Sequence, residues 1–128
     1  MSRADAPLTG RRVLVAEDEY LIASEVKRWL LAAGSEVLGP VPSVDKALDL
    51  IEARRPDVAV LDVNPGAGDD AYPLADRLGA LGVPYLFATG DVRLADTSIY
   101  RDRPRLEKPF LARELVRALT AILAESRA

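Results

Sequence analysis

Cysteine and histidine are both absent from this chain. Without cysteine there is no disulfide framework, no thiolate nucleophile and no cysteine-held zinc. Without histidine, catalytic triads and imidazole-ligated metals are excluded as well. No apolar stretch approaches the ~20 residues that a membrane-spanning helix needs. The polar segment 1–10 lacks the apolar core of a secretory signal. Positive charge is not in excess either. The 17 Lys and Arg stand against 20 Asp and Glu, and a net charge of −3 argues against non-specific nucleic-acid binding. The expectation is a cytoplasmic protein with neither nucleic acid nor membrane as partner.

The 128 residues that are present are 49% hydrophobic and 29% charged, the mix of an ordinary globular domain. A chain of this length buries roughly two-thirds of its unfolded surface. No linker, repeat or low-complexity tract breaks it. The expected organisation is a flexible N-terminal lead over 1–10 and one domain over 11–128, with no attached output domain.

Four short apolar runs carry the functional signal, because each ends in a chemically competent group. Glu17 and Asp18 follow Val13, Leu14, Val15 and Ala16, and Asp62 follows Val58, Ala59, Val60 and Leu61. Thr89 follows Tyr85, Leu86, Phe87 and Ala88, and Lys108 precedes Pro109 after a shorter run. Such runs read as strands buried on both faces, as in a parallel sheet. In open α/β sheets the ligand sits beyond the carboxyl ends of the strands. Three carboxylates, a hydroxyl and an ammonium at one sheet edge suit a divalent cation and a phosphoryl group.

The rest of the chain alternates between strand and helix patterns. A first strand over Arg12–Ala16 leads to a helix near 19–33, with Leu21, Ile22, Val26, Trp29, Leu30 and Ala33 in helical phase and Gly34 as its stop. A short strand over 36–38 ends at Gly39-Pro40, a position that suits a sheet edge. Ser43 can cap a helix that Arg55-Pro56 ends. After a strand over 57–61, Asp69 or Asp70 can cap the next helix, which Gly82 stops. A strand over 85–88, a short strand over Arg105–Glu107 and a closing helix over 111–125 complete the pattern. Segment 90–104 has only weak helical periodicity and is the expected mobile element. Trp29 reads as core or surface-groove packing.

This arrangement resembles the receiver domain of two-component response regulators, over nearly the whole chain. The stretches Asp62-Val63-Asn64, Phe87-Ala88-Thr89-Gly90 and Lys108-Pro109-Phe110, with Tyr72-Pro73 and Gly82-Val83-Pro84, are similar to the stand-alone Phe-Ala-Thr-Gly-Tyr group of receivers. Asp91 stands where that group usually carries Tyr, and Arg105 where many receivers carry an aromatic switch residue. The resemblance implies a flavodoxin-like, doubly wound (βα)5 fold with a five-stranded parallel sheet of order 2-1-3-4-5. It makes Asp62 the phosphoacceptor, Thr89 the conserved hydroxyl, Lys108 the phosphate-facing ammonium and Pro109 a candidate cis peptide.

The implied cofactor is Mg²⁺, which takes one or two carboxylates together with waters and phosphate oxygens. Asp18, Asp62 and the backbone carbonyl of Asn64 fit as ligands, with Glu17 acting through water. Asn64 and Asp91, each two residues past a site residue, are the expected tuners of phosphoryl hydrolysis. The implied phosphodonor is a histidine kinase or histidine phosphotransfer protein, and the output is an unidentified downstream protein or a phosphate-sink role. The chain would assist its own phosphorylation and dephosphorylation without being an enzyme on external substrates.

Each residue alone has an ordinary explanation: acids complement helix N-termini, an isolated Lys is solvated, and Asn and Asp cap turns. Their joint order at four strand ends favours the site. Two rivals are a phosphorylation-independent adaptor with the same fold and a haloacid-dehalogenase-like phosphatase. The latter expects a second Asp two residues past the nucleophile, where Asn64 stands.

Overall fold

Strands that are apolar at every position need cover on both faces, and this chain supplies it. The computed structural model describes residues 6–62, 72–89 and 104–126. Strands β1 (Arg12–Ala16), β2 (Glu36–Val41), β3 (Val58–Asp62), β4 (Tyr85–Thr89) and β5 (Arg105–Glu107) form one sheet in the order β2-β1-β3-β4-β5. Every pairing is parallel. Helices α1 (Tyr20–Ala32), α2 (Val44–Ala53), α3 (Tyr72–Ala80) and α4 (Ala112–Ser126) complete the described elements. This is the flavodoxin-like strand order that the family resemblance implies. Residues 90–103, and the candidate caps Asp69 and Asp70, lie outside the described residues.

Successive side chains of a strand point to opposite faces, so each apolar run serves two cores. Leu14, Ala16, Ala59, Leu61 and Phe87 pack with Val44, Ala47 and Ile51 of α2 and Leu74, Ala75 and Leu78 of α3. Val13, Val15, Val58, Val60, Leu86 and Ala88 pack with Val26 and Leu30 of α1 and Leu115, Leu119, Ile122 and Leu123 of α4. The helices therefore form two layers with the sheet between them. Ser43 accepts a hydrogen bond from the Lys46 amide at 3.4 Å and caps α2. Among the described residues no helix is long and apolar enough to cross a membrane.

The second strand does not stop at Leu38. It runs through Gly39-Pro40, a cis peptide, to Val41. Pairing of β1 with β2 shifts there, from Leu14 against Leu38 to Ala16 against Val41. The extra residue makes a bulge on an edge strand, where a proline removes no ladder bond that a neighbour needs. The Val41 carbonyl then accepts the Glu17 amide at 2.9 Å, so the irregular edge holds the backbone of a candidate site residue. Gly39 permits this: its φ is +99°, and a Cβ there would meet Val41 N at 2.8 Å and the Val15 carbonyl at 2.9 Å. Gly39→Ala is expected to cost about 2 kcal/mol in urea unfolding. It should also move the Glu17 amide resonance; a change below about 0.5 kcal/mol would mean that the edge relaxes freely.

Part of the expected N-terminal lead is structured. Leu8 is fully buried among the α1 and α4 side chains, and its amide donates to the Ala33 carbonyl at 2.9 Å. Burying a leucine contributes about 1.5–3 kcal/mol, enough to tie residues 6–10 to the end of α1. Leu8 stands between Pro7 and Thr9 with no apolar run or periodicity around it, so the sequence gives no sign of this single anchor.

Candidate functional site

Sheet register places the candidate groups at one level. Ala16 pairs with Leu61, Asp62 with Ala88, and Thr89 with Glu107. Glu17 and Lys108, one residue past β1 and β5, therefore flank Asp62 and Thr89 at the same carboxyl edge. One oxygen each from Glu17, Asp18 and Asp62 lie within 4.8 Å of one another. Asn64 and Asp91 lie outside the described residues, so the structure places neither the Asn64 carbonyl nor the hydrolysis-tuning pair. Thr89 is placed through its backbone, as the last residue of β4.

The two adjacent acids have different surroundings. Glu17 is buried, with its side chain 5% exposed, whereas Asp18 stands in solvent. Lys108 Nζ donates to Glu17 Oε1 at 2.8 Å, and the amide of Glu19 donates to Glu17 Oε2 at 3.1 Å. Glu17 thus has one oxygen on the entry to α1 and the other on the ammonium. Lys108 Nζ also reaches Asp62 Oδ1 at 3.4 Å, a longer contact. The Lys108–Pro109 peptide bond is cis.

The charges are mutually dependent. Burial pushes the Glu17 carboxyl above its usual range and the nearby Asp62 charge adds to the rise, although Lys108 and the Glu19 amide pull in the opposite sense. Burial alone would push Lys108 down. Its bond to Glu17 and the charges of Glu17 and Asp62 outweigh that, so its ammonium is held above the ordinary lysine value. Among the described residues, the cluster sets three carboxylates against one ammonium. Its donors are all hard oxygens, which suit a small hard divalent cation better than a soft one.

The sequence does not foretell that Lys108 pairs most closely with the buried Glu17 rather than with Asp62. It also misses the support from the Val41 carbonyl and the contact of Trp29 with Phe110, whose ring centroids lie 6.2 Å apart. The helical phase of Trp29 is the one available signal for the last of these.

No protein-family model matches the chain. A curated relative, the transcriptional regulatory protein PdtaR of Mycobacterium tuberculosis, is 30% identical over 132 residues, covering 97% of this chain. The chain spans 62% of that relative's length. The solution structure of SdrG from Sphingomonas melonis Fr1 is similar with 38% identity and a TM-score of 0.78, over 96% of this chain and 99% of that one. A response regulator receiver protein from Burkholderia phymatum matches with 28% identity and a TM-score of 0.77, over 89% of this chain and 95% of that one.

Proposed function

The chain belongs to the response-regulator receiver family of two-component systems, and from that premise we propose that it accepts a phosphoryl group on Asp62 with the help of Mg²⁺. The observation that carries this reading is the Asp62 carboxylate, inside a three-acid cluster and 3.4 Å from the Lys108 ammonium. In the transfer, an Asp62 oxygen forms a bond to phosphorus. The phosphorus–nitrogen bond to a donor histidine breaks, and its electron pair stays with the imidazole. Lys108 offsets charge on the phosphoryl oxygens, and the Thr89 hydroxyl is the candidate donor to one of them. Asp18 and Asp62 would hold the cation, with Glu17 and the Asn64 carbonyl completing its surroundings. Bound Mg²⁺ would neutralise the negative excess of cluster and phosphoryl group.

The phosphodonor would be a histidine kinase or histidine phosphotransfer protein. Adding about −1.5 to −2 charges beside Lys108 would change the surface offered to a downstream protein, or would drain phosphate from a shared kinase. Intact-mass measurement after incubation with Mg²⁺ and acetyl phosphate tests the reading. One added phosphoryl mass, lost when EDTA is present, is expected. An unchanged mass with folded protein would favour the phosphorylation-independent adaptor instead.

The acids also predict a division of roles. Asp18 is exposed and has no resolved structural duty, so Asp18→Ala should leave the urea midpoint nearly unchanged. Mg²⁺ affinity should fall by roughly tenfold or more, because a direct carboxylate ligand is lost. Titration followed by NMR reads both quantities; an unaltered Mg²⁺ midpoint would remove Asp18 from the ligand set.

A further inference from the structure

The place of Lys108 is set by a turn outside regular secondary structure, because β5 ends at Glu107 and α4 begins at Ala112. Glu114 secures the far side of the turn, its Oε1 accepting the Leu111 amide at 2.7 Å. The near side is secured by apolar packing. Phe110 is 9% exposed and meets Trp29 edge-on at an interplanar angle of 62°. Trp29, Ile22, Lys108, Pro109 and Phe110, with Glu19 and Glu25, line an open cleft of about 360 Å³. The indole therefore braces the wall that carries the lysine. With Nζ already 3.4 Å from Asp62, a shift of well under 1 Å in that wall decides whether the ammonium reaches the carboxylate.

We propose that Trp29 is a positioning residue for phosphoryl transfer, holding Lys108 against Asp62 through its contact with Phe110. The proposal rests on the reading of Asp62 as phosphoacceptor. A tryptophan that merely fills core would lower stability when replaced and leave the rate of the folded protein unchanged. A bracing tryptophan changes that rate, and does so only while Lys108 is present.

The test is a double-mutant cycle on the rate of labelling by acetyl phosphate with saturating Mg²⁺, each rate being scaled to the folded fraction from urea unfolding. Trp29→Leu should label about tenfold more slowly, the scale of a small misplacement of a catalytic group. Trp29→Phe restores an aromatic edge and should recover most of the rate. In a Lys108→Ala background, Trp29→Leu should have no further effect. A wild-type rate for folded Trp29→Leu, or the same loss with and without Lys108, overturns the proposal. Should Trp29→Leu not fold, Phe110→Leu carries the same cycle. Side-chain NMR of Lys108 supplies a readout independent of labelling: its resonances should move in Trp29→Leu and return in Trp29→Phe. If wild type does not label, the Asp62 reading fails, and these resonances still decide whether Trp29 places Lys108.

Discussion

Replacing Asp62 by asparagine is expected to abolish covalent phosphorylation while leaving the fold standing. The amide keeps the shape of the carboxylate but lacks the nucleophilic oxygen anion, so no acyl phosphate can form and the mass should not change with Mg²⁺ and acetyl phosphate. The effect on stability is the sum of two opposing changes. Lys108 loses one of the two acidic partners it has among the described residues, which is destabilising. Glu17 is relieved of the Asp62 charge that helps hold its carboxyl above the usual range, which is stabilising. The net change in urea unfolding should stay within roughly 1 kcal/mol, the scale of a partly solvated pair. The response to metal separates the variant further. Saturating the wild type at a hundredfold above its dissociation constant should add about 2.7 kcal/mol, and most of that gain should vanish in Asp62→Asn. Labelling of the asparagine variant at the wild-type level would place the phosphoryl group elsewhere. Collapse of its fold would make Asp62 a structural residue first.

Phe87→Ala should produce the largest loss of stability among these variants. The ring is fully buried, at the centre of the core under α2 and α3. Two tyrosines approach it edge-on, Tyr72 at 5.9 Å and Tyr85 at 5.5 Å. Its removal forfeits both contacts and leaves a cavity that a close-packed interior fills only in part, a change worth about 3–5 kcal/mol. Against a total stability of about 5–15 kcal/mol, that is enough to populate the unfolded state at modest denaturant. Phe87→Leu keeps much of the volume and should cost roughly 1.5 kcal/mol. Phe87 also lies two residues before Thr89 and pairs with Leu61 and Arg105 across β4. Any loss of labelling should nevertheless track the unfolded fraction, because the ring lies in the core between the sheet and helices α2 and α3. A cost below about 1 kcal/mol for Phe87→Ala would show that the two tyrosines close the gap.

Some of this protein is legible in the order of its residues because the governing rule is local. A strand covered on both faces must be apolar at each position, and Val13–Ala16, Val58–Leu61 and Tyr85–Ala88 obey that rule whatever the remainder of the chain does. Once those runs are parallel strands with ends in register, the acids after β1 and at the end of β3 must share one edge of the sheet. Gly34 ends α1 with a φ of +95°, again a property of one residue. Packing between distant segments decided the rest. Glu17 and Asp18 are equivalent acids in the sequence, yet only Glu17 turns inward to meet Lys108, because its amide is taken by Val41 and its carboxylate by the start of α1. Leu8 gains its anchor from the end of α1, and β2 passes a proline because an edge strand has a free side on which to bulge. Trp29 meets Phe110 only after α1 and the turn before α4 have settled on the same face of the sheet. Backbone propensity and hydrophobic period reach a few residues along the chain, whereas an ion pair or a ring contact between distant segments depends on how whole layers stack.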